Sequence, residues 1–160
     1  MFKFLKKNKE IELTSPITGD IIPLEEVSDP VFAEKMMGDG IAIEPSEGKV
    51  LSPIDGKIAT IFPTNHAIGL VNKEGLEILI HIGLDTVELK GDGFIRVAEE
   101  GQNVKKGDLL MEVDLEKLKE SGKPTITPII ITNMDKVDKI EKNAGKVERG
   151  NSPIFTVNLK

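Results

Sequence analysis

Short apolar runs broken by proline and glycine set the rhythm of this chain. They fall at Ile17 with Ile21-Ile22, then at Ile41–Ile43, Val50-Leu51, Ile58–Phe62, Ile68–Val71, Leu76–Leu84 and Phe94–Val97. The remainder are Leu109–Val113, Ile126–Thr132, Lys146-Val147 and Ile154–Val157. Runs of this length, rich in Ile and Val and bounded by turn-forming residues, predict β-strands. With 15 Gly and 9 Pro as punctuation, the pattern predicts an all-β fold, an antiparallel β-sandwich or barrel with one or two short helices. One helix is expected over Val31–Met37, with Asp29 as N-cap, Pro30 at the first position and Gly38 behind. The other is expected over Asp114–Ser121 with Gly122 behind it. A short turn is expected after Asn133.

The pattern also repeats itself. Ser15-Pro-Ile-Thr-Gly-Asp-Ile21 and Ser52-Pro-Ile-Asp-Gly-Lys-Ile58 share S-P-I-x-G-x-I. Glycine allows a tight turn there and isoleucine begins the next strand, so a duplicated β-unit is predicted. Asn143–Val147 is a weaker third echo. Glu100–Leu110 carries Lys-Gly-Asp turn chemistry between apolar residues and reads as a hairpin.

Composition narrows the picture. At 160 residues, one β domain over residues 15–160 is expected, preceded by an N-terminal tail over 1–14. The first ten residues mix Phe2, Phe4 and Leu5 with lysines. A solvated tail and a short amphipathic membrane-touching helix both stay open. Net charge is −6, which argues against nucleic acid as a partner. The chain has no cysteine, which excludes disulfides, thiolate catalysis and cysteine zinc sites and is compatible with a cytoplasmic protein. No apolar run approaches the ~18 residues of a membrane span, and no signal-peptide pattern is present.

The candidate chemistry lies in the only two histidines, His66 and His81. Roughly fifteen residues separate them, enough for two antiparallel strands and a turn that set both imidazoles on one surface. A neutral imidazole is a good nucleophile and can carry a phosphoryl group covalently. A second imidazole can donate to the phosphoryl oxygens, and a hydroxyl such as Thr64 can fix that second ring's tautomer. The same pair, completed by a carboxylate, could bind zinc. His81 and Asp85 form H-x-x-x-D, half of a lysostaphin-type zinc motif, but a third histidine is missing. Asn133–Val137 resembles the lysine turn of lipoyl domains, in a chain about twice their length. An ordinary pair of core or surface histidines also remains open at this point. Phe32, Met36, Met37 and Phe62 are candidates for a docking patch.

Four stretches carry a resemblance: Val31–Ile43, Thr64-Asn-His-Ala67, His81–Phe94 and Thr132-Asn-Met134. In order and with near-uniform spacing from Ser15 to Lys160, they resemble the glucose-type enzyme IIA of the bacterial phosphoenolpyruvate:sugar phosphotransferase system. The resemblance implies a barrel-sandwich hybrid with a duplicated motif. It implies a phosphocarrier that takes a phosphoryl group from the carrier HPr onto Nε2 of His81 and passes it to a cysteine on the IIB domain of a membrane sugar permease. His66 then assists transfer, and Thr64 bonds to His66. Asp29 and Asp85 match rim aspartates that adjust on phosphorylation. Val31, Phe32, Phe62, Leu79 and Val87 match an apolar docking face, with Leu79 standing where an aromatic residue is common. The resemblance implies no required cofactor, although zinc can bind His66 and His81 when a partner adds a ligand. It further implies a monomer that works at the inner face of the membrane, with regulatory targets in some cells.

Overall fold

The β-branched runs do become strands, and what they build is a set of antiparallel sheets. The computed structural model describes residues 10–160; the basic stretch of residues 1–9 lies outside them. In chain order the first elements are β1 (Glu10–Thr14), β2 (Gly19–Pro23), α1 (Pro30–Ala33), β3 (Asp39–Pro45), β4 (Lys49–Leu51) and β5 (Gly56–Ile61). Next come β6 (Ala67–Val71), β7 (Glu77–His81), β8 (Phe94–Arg96), β9 (Asn103–Val104) and β10 (Leu109–Val113). The chain ends with α2 (Leu115–Glu120), β11 (Thr127–Ile131), β12 (Val137–Lys142), β13 (Gly145–Val147) and β14 (Pro153–Leu159). The main sheet runs β13-β2-β3-β11-β7-β6-β5-β9, flanked by the sheets β1-β14-β12 and β4-β10-β8.

Alternation along the central strands gives the main sheet two buried faces. Ile41, Ile43, Ile68, Leu70, Ile78, Ile80, Ile129 and Ile131 point into the large core, with Leu13, Val50, Phe155 and Val157 from the flanking sheets. Ala42, Ala67, Leu79 and Ile130, the residues between them, point the other way. They form a smaller cluster with Leu24, Val27, Phe32 and Leu84. Side chains two apart share a face, so His81 shares the outer face with Leu79. That is the face on which the site is built.

The S-P-I-x-G-x-I echo is a structural duplication. The Ser15 hydroxyl donates to Ile17 O at 2.6 Å and the Ser52 hydroxyl to Ile54 O at 2.7 Å. The carbonyl of each serine accepts an N–H at 2.8 Å, from Gly150 and Gly107 respectively. The copies also grip each other, Thr14 N donating to Pro53 O and Leu51 N to Pro16 O. In both copies glycine allows the next strand to approach closely. A Cβ on Gly19 would lie 2.1 Å from Glu44 O, and one on Gly56 would lie 2.4 Å from Val71 O. The third echo does not repeat this unit: it supplies β13, which pairs with β2.

Four expectations change. Residues 10–14, assigned to a tail, form β1 and pair with β14. The helix expected over 31–37 is the four-residue α1, because Lys35 turns into the left-handed region (φ 59°) before Gly38 is reached. The strand through residues 76–84 stops at His81, where Gly83 (φ 75°) turns the chain. Glu100–Leu110 is a turn between sheets rather than a hairpin: β9 pairs with β5, whereas β10 pairs with β4 and β8. The second helix and the short turn at Met134–Lys136 stand where expected.

Candidate active site

The two histidines meet because adjacent strands deliver them. His81 is the last residue of β7 and pairs with Ala67, the first residue of β6. His66 immediately precedes β6, and its carbonyl accepts the Ile82 N–H at 2.7 Å. The imidazole centroids stand 5.0 Å apart with the ring planes 80° from parallel.

Each ring is held at Nδ1. The Nδ1 of His81 lies 2.8 Å from Gly83 O. A carbonyl can only accept, so Nδ1 carries the hydrogen and Nε2 of the neutral ring keeps its lone pair. Gly83 has to be glycine: a Cβ there would sit 2.6 Å from Thr86 Cγ2 and 2.9 Å from Pro124 O, at a positive φ. The Nδ1 of His66 lies 2.6 Å from the Thr64 hydroxyl. When that hydroxyl donates, the proton of His66 sits on Nε2.

Burial keeps both rings neutral near pH 7. His66 is 4% exposed; burial, and after it the charge on His81, lowers its pKa to about 4. Burial also lowers the pKa of His81, opposed by the Gly83 carbonyl and then by the negative charges of Asp29 and Asp85. Phe32 packs its ring 5.0 Å from His81, and Phe62 its ring 5.3 Å from His66. The rings are thus walled by apolar surface and edged by carboxylates.

The other expected site residues divide by depth. Phe62 and Val87 are 37% and 50% exposed, and Val31 is half-buried. Phe32 (3%) and Leu79 (6%) are buried. They underlie the expected docking face rather than form its surface, because the smaller cluster needs them. Leu79 still borders a groove of about 310 Å³ on the outer sheet face, beside Gly69 and Thr132. Asp29 caps α1, accepting the Val31 N–H at 2.9 Å, and Asp85 begins the turn over Thr86–Leu89 in the left-handed region. Met36 and Met37 are exposed beside Thr132 and Met134, in a separate hollow. Among the described residues no group of three or more His, Cys, Asp or Glu is placed to hold a metal ion. The zinc motif is therefore not completed within them.

Sequence reasoning missed the carbonyl of Gly83 and the pair Arg96–Asn65. Only a glycine two residues after the histidine hinted at the first. The second had one hint, since Arg96 is one of two arginines in the chain.

Comparisons with known proteins agree on one family. The profile for the phosphoenolpyruvate-dependent sugar phosphotransferase system, EIIA 1, matches residues 11–137. The chain is 47% identical over 154 residues to the PTS system glucose-specific EIIA component of Haemophilus influenzae, with 95% of this chain and 93% of that protein covered. It is 48% identical over 165 residues to the component of the same name from Bacillus cereus, with both chains fully covered. Among solved structures, glucose permease IIA from Mycoplasma capricolum superposes with a TM-score of 0.84 at 40% identity, covering 98% of this chain and 99% of that one.

Proposed function

The chain belongs to the EIIA 1 family of the phosphoenolpyruvate-dependent sugar phosphotransferase system, and from that premise we propose that it relays phosphoryl groups through His81 toward a glucose-type permease. The observation that carries this reading is the Nδ1–H bond of His81 to Gly83 O. It leaves one nucleophilic lone pair, on Nε2, beside a second neutral ring.

The relay has two in-line steps. His81 Nε2 attacks the phosphorus of the phosphohistidine on HPr; the new P–N bond forms as the old one breaks, and the donor leaves as a neutral imidazole. A cysteine thiolate of the IIB domain then attacks the same phosphorus. A P–S bond forms, the P–N bond breaks, and His81 recovers its lone pair. Such transfers need positioning and donors to the equatorial oxygens more than further covalent chemistry. Nε2–H of His66 is the donor, held in that tautomer by Thr64. Gly83 O keeps the ring of His81 from turning while its charge changes. Asp29 and Asp85 repel a phosphoryl dianion, so they move outward on phosphorylation and meet basic groups of the partner. Phe62, Val87 and Val31 supply the apolar centre of the docking face, with Phe32 and Leu79 supporting it from below. Zinc, where a partner adds a carboxylate, would be held by His66 and His81, with His66 then in the other tautomer, its proton on Nδ1 and the Thr64 hydroxyl accepting.

Among the described residues no helix is long and apolar enough to cross a membrane, and the permease partner supplies the membrane part of this relay.

Intact mass after incubation with phosphoenolpyruvate, enzyme I and HPr tests the reading. One acid-labile phosphoryl adduct is expected on the wild type and none on His81→Ala. No adduct on either, with HPr itself phosphorylated, would refute the relay. His66→Gln is expected to accept the group but pass it on poorly. Equal loss of both half-reactions would make His66 a structural residue instead.

A further inference from the structure

Thr64 can hold His66 only if its own loop is held. Residues 62–66 join β5 to β6, and the last residue of β8, Arg96, grips them from the side. Arg96 donates from Nε and Nη2 to Asn65 Oδ1, at 3.0 and 2.8 Å. The same Nη2 reaches Phe62 O at 3.4 Å. Glu100 holds the strand just before the loop, its Oε2 accepting the Ile61 N–H at 2.8 Å and the Thr60 hydroxyl at 3.2 Å. The Ile61 N–H first, then the Thr60 hydroxyl, keep the Glu100 carboxyl below its usual range, and the charge on Arg96 adds to this. Asn65 sits in the left-handed region (φ 63°) and its N–H returns to Phe62 O at 2.7 Å. The two residues flanking this clamp in sequence, Thr64 and His66, are the pair bonded at 2.6 Å.

We propose that Arg96 and Asn65 form a clamp that positions the Thr64–His66 pair, so that His66 offers one tautomer in one orientation to the phosphoryl group on His81. The proposal rests on the phosphocarrier reading above. Neither clamp residue touches the reacting atoms; both act through His66. A planar guanidinium fork fixes its acceptor in direction as well as distance, which a lysine cannot do. The need is geometric: a displacement of about 1 Å in a catalytic group can cost ~10²-fold in rate.

Asn65 allows the clamp to be separated from its own strained backbone. Asn65→Gly relieves the left-handed conformation but removes the acceptor. Asn65→Asp tolerates that conformation and keeps Oδ1 facing Arg96. The test compares the wild type with Arg96→Gln, Asn65→Gly and Asn65→Asp, alone and combined with His66→Gln. Arg96 is exposed and Asn65 half-buried, so these variants are expected to fold, which a thermal melt checks.

The first readout is the imidazole ¹⁵N spectrum of His66, which needs no partner protein. The second is the rate of transfer to IIB, measured against the rate of acceptance from phospho-HPr. Arg96→Gln and Asn65→Gly are expected to mix the tautomers of His66 and slow onward transfer by roughly tenfold or more. They should leave acceptance within about threefold, on the same geometric reasoning. Asn65→Asp should match the wild type. Adding His66→Gln to either clamp variant should cost nothing further, because the clamp works only through that ring. The clamp is overturned if His66 keeps one tautomer in both clamp variants. It is equally overturned if Asn65→Asp fails as badly as Asn65→Gly, or if the losses add to that of His66→Gln. Were the wild type to accept no phosphoryl group, the phosphocarrier reading would fall, while the ring spectra would still decide whether the clamp exists.

Discussion

A carbonyl and a hydroxyl decide what the two imidazoles can do. Gly83 O fixes the hydrogen of His81 on Nδ1, and Thr64 holds Nδ1 of His66. Burial then keeps both rings neutral, most strongly His66, whose pKa falls to about 4. That value lies below the ordinary ~6.5 of an unfolded histidine, so as pH falls the unfolded chain takes up the proton first. The contribution of His66 to stability is therefore complete above about pH 6.5 and is lost as pH falls toward about 4. Urea unfolding of the wild type and His66→Gln at pH 7 and pH 4.5 checks this. The stability difference should shift against the wild type by on the order of 2 kcal/mol between the two. A constant difference would mean that His66 is not held neutral by burial. The histidines themselves were legible from residue type and spacing. Their hydrogen positions were not, since these depend on a backbone carbonyl that no side-chain pattern marks.

The elements that frame the site are short, and their boundaries were the hardest to read. α1 was expected to reach Met37 because Gly38 looked like its stop; Lys35 ends it earlier by turning left-handed. β12 escaped notice because Val137–Lys142 is mostly charged, with only Val137 buried and Ile140 half-buried. It is an edge strand of its sheet, where lysines are tolerated and discourage edge-to-edge pairing. At the start of α1 the expected N-cap is real, and Asp29 serves twice, through its bond to Val31 N and through its charge on His81. Two substitutions separate the roles. Asp29→Ala loses the cap and should cost about 1 kcal/mol in chemical denaturation, whereas Asp29→Asn keeps a capping oxygen and should cost only a few tenths. Both remove the charge, so both should lower the pKa of His81, read from its ring resonances. Equal stability of the two variants would show that the cap does not hold α1, and with it Phe32, against the site.

Over the whole molecule the duplication was legible, because S-P-I-x-G-x-I is a set of local bonds written twice. The closure between the copies was not, since Thr14–Pro53 and Leu51–Pro16 join residues that no local pattern relates. Ser15→Ala and Ser52→Ala each leave a buried carbonyl without its hydroxyl donor, and each should cost about 1–3 kcal/mol. If the interlocked copies act as one unit, the double variant will depart from additivity by about 0.5 kcal/mol or more. Simple addition in denaturant titrations would make them independent corners. Charge, too, acts over the whole surface. In the relay proposed above, the net −6, with Asp29 and Asp85 edging the histidines, would favour a donor with a basic face and speed encounter more than chemistry. Salt screens exposed charges beyond about 8–10 Å. The second-order rate of acceptance from phospho-HPr should therefore fall as ionic strength rises from about 0.05 to 0.5 M, while transfer within the saturated complex holds steady. Asp85→Asn should flatten that salt dependence and change the saturated rate far less than the rate of encounter. If salt instead slows the saturated step, the carboxylates at the rim belong to the chemistry itself, and the separation between rim and reacting rings proposed for this site is wrong.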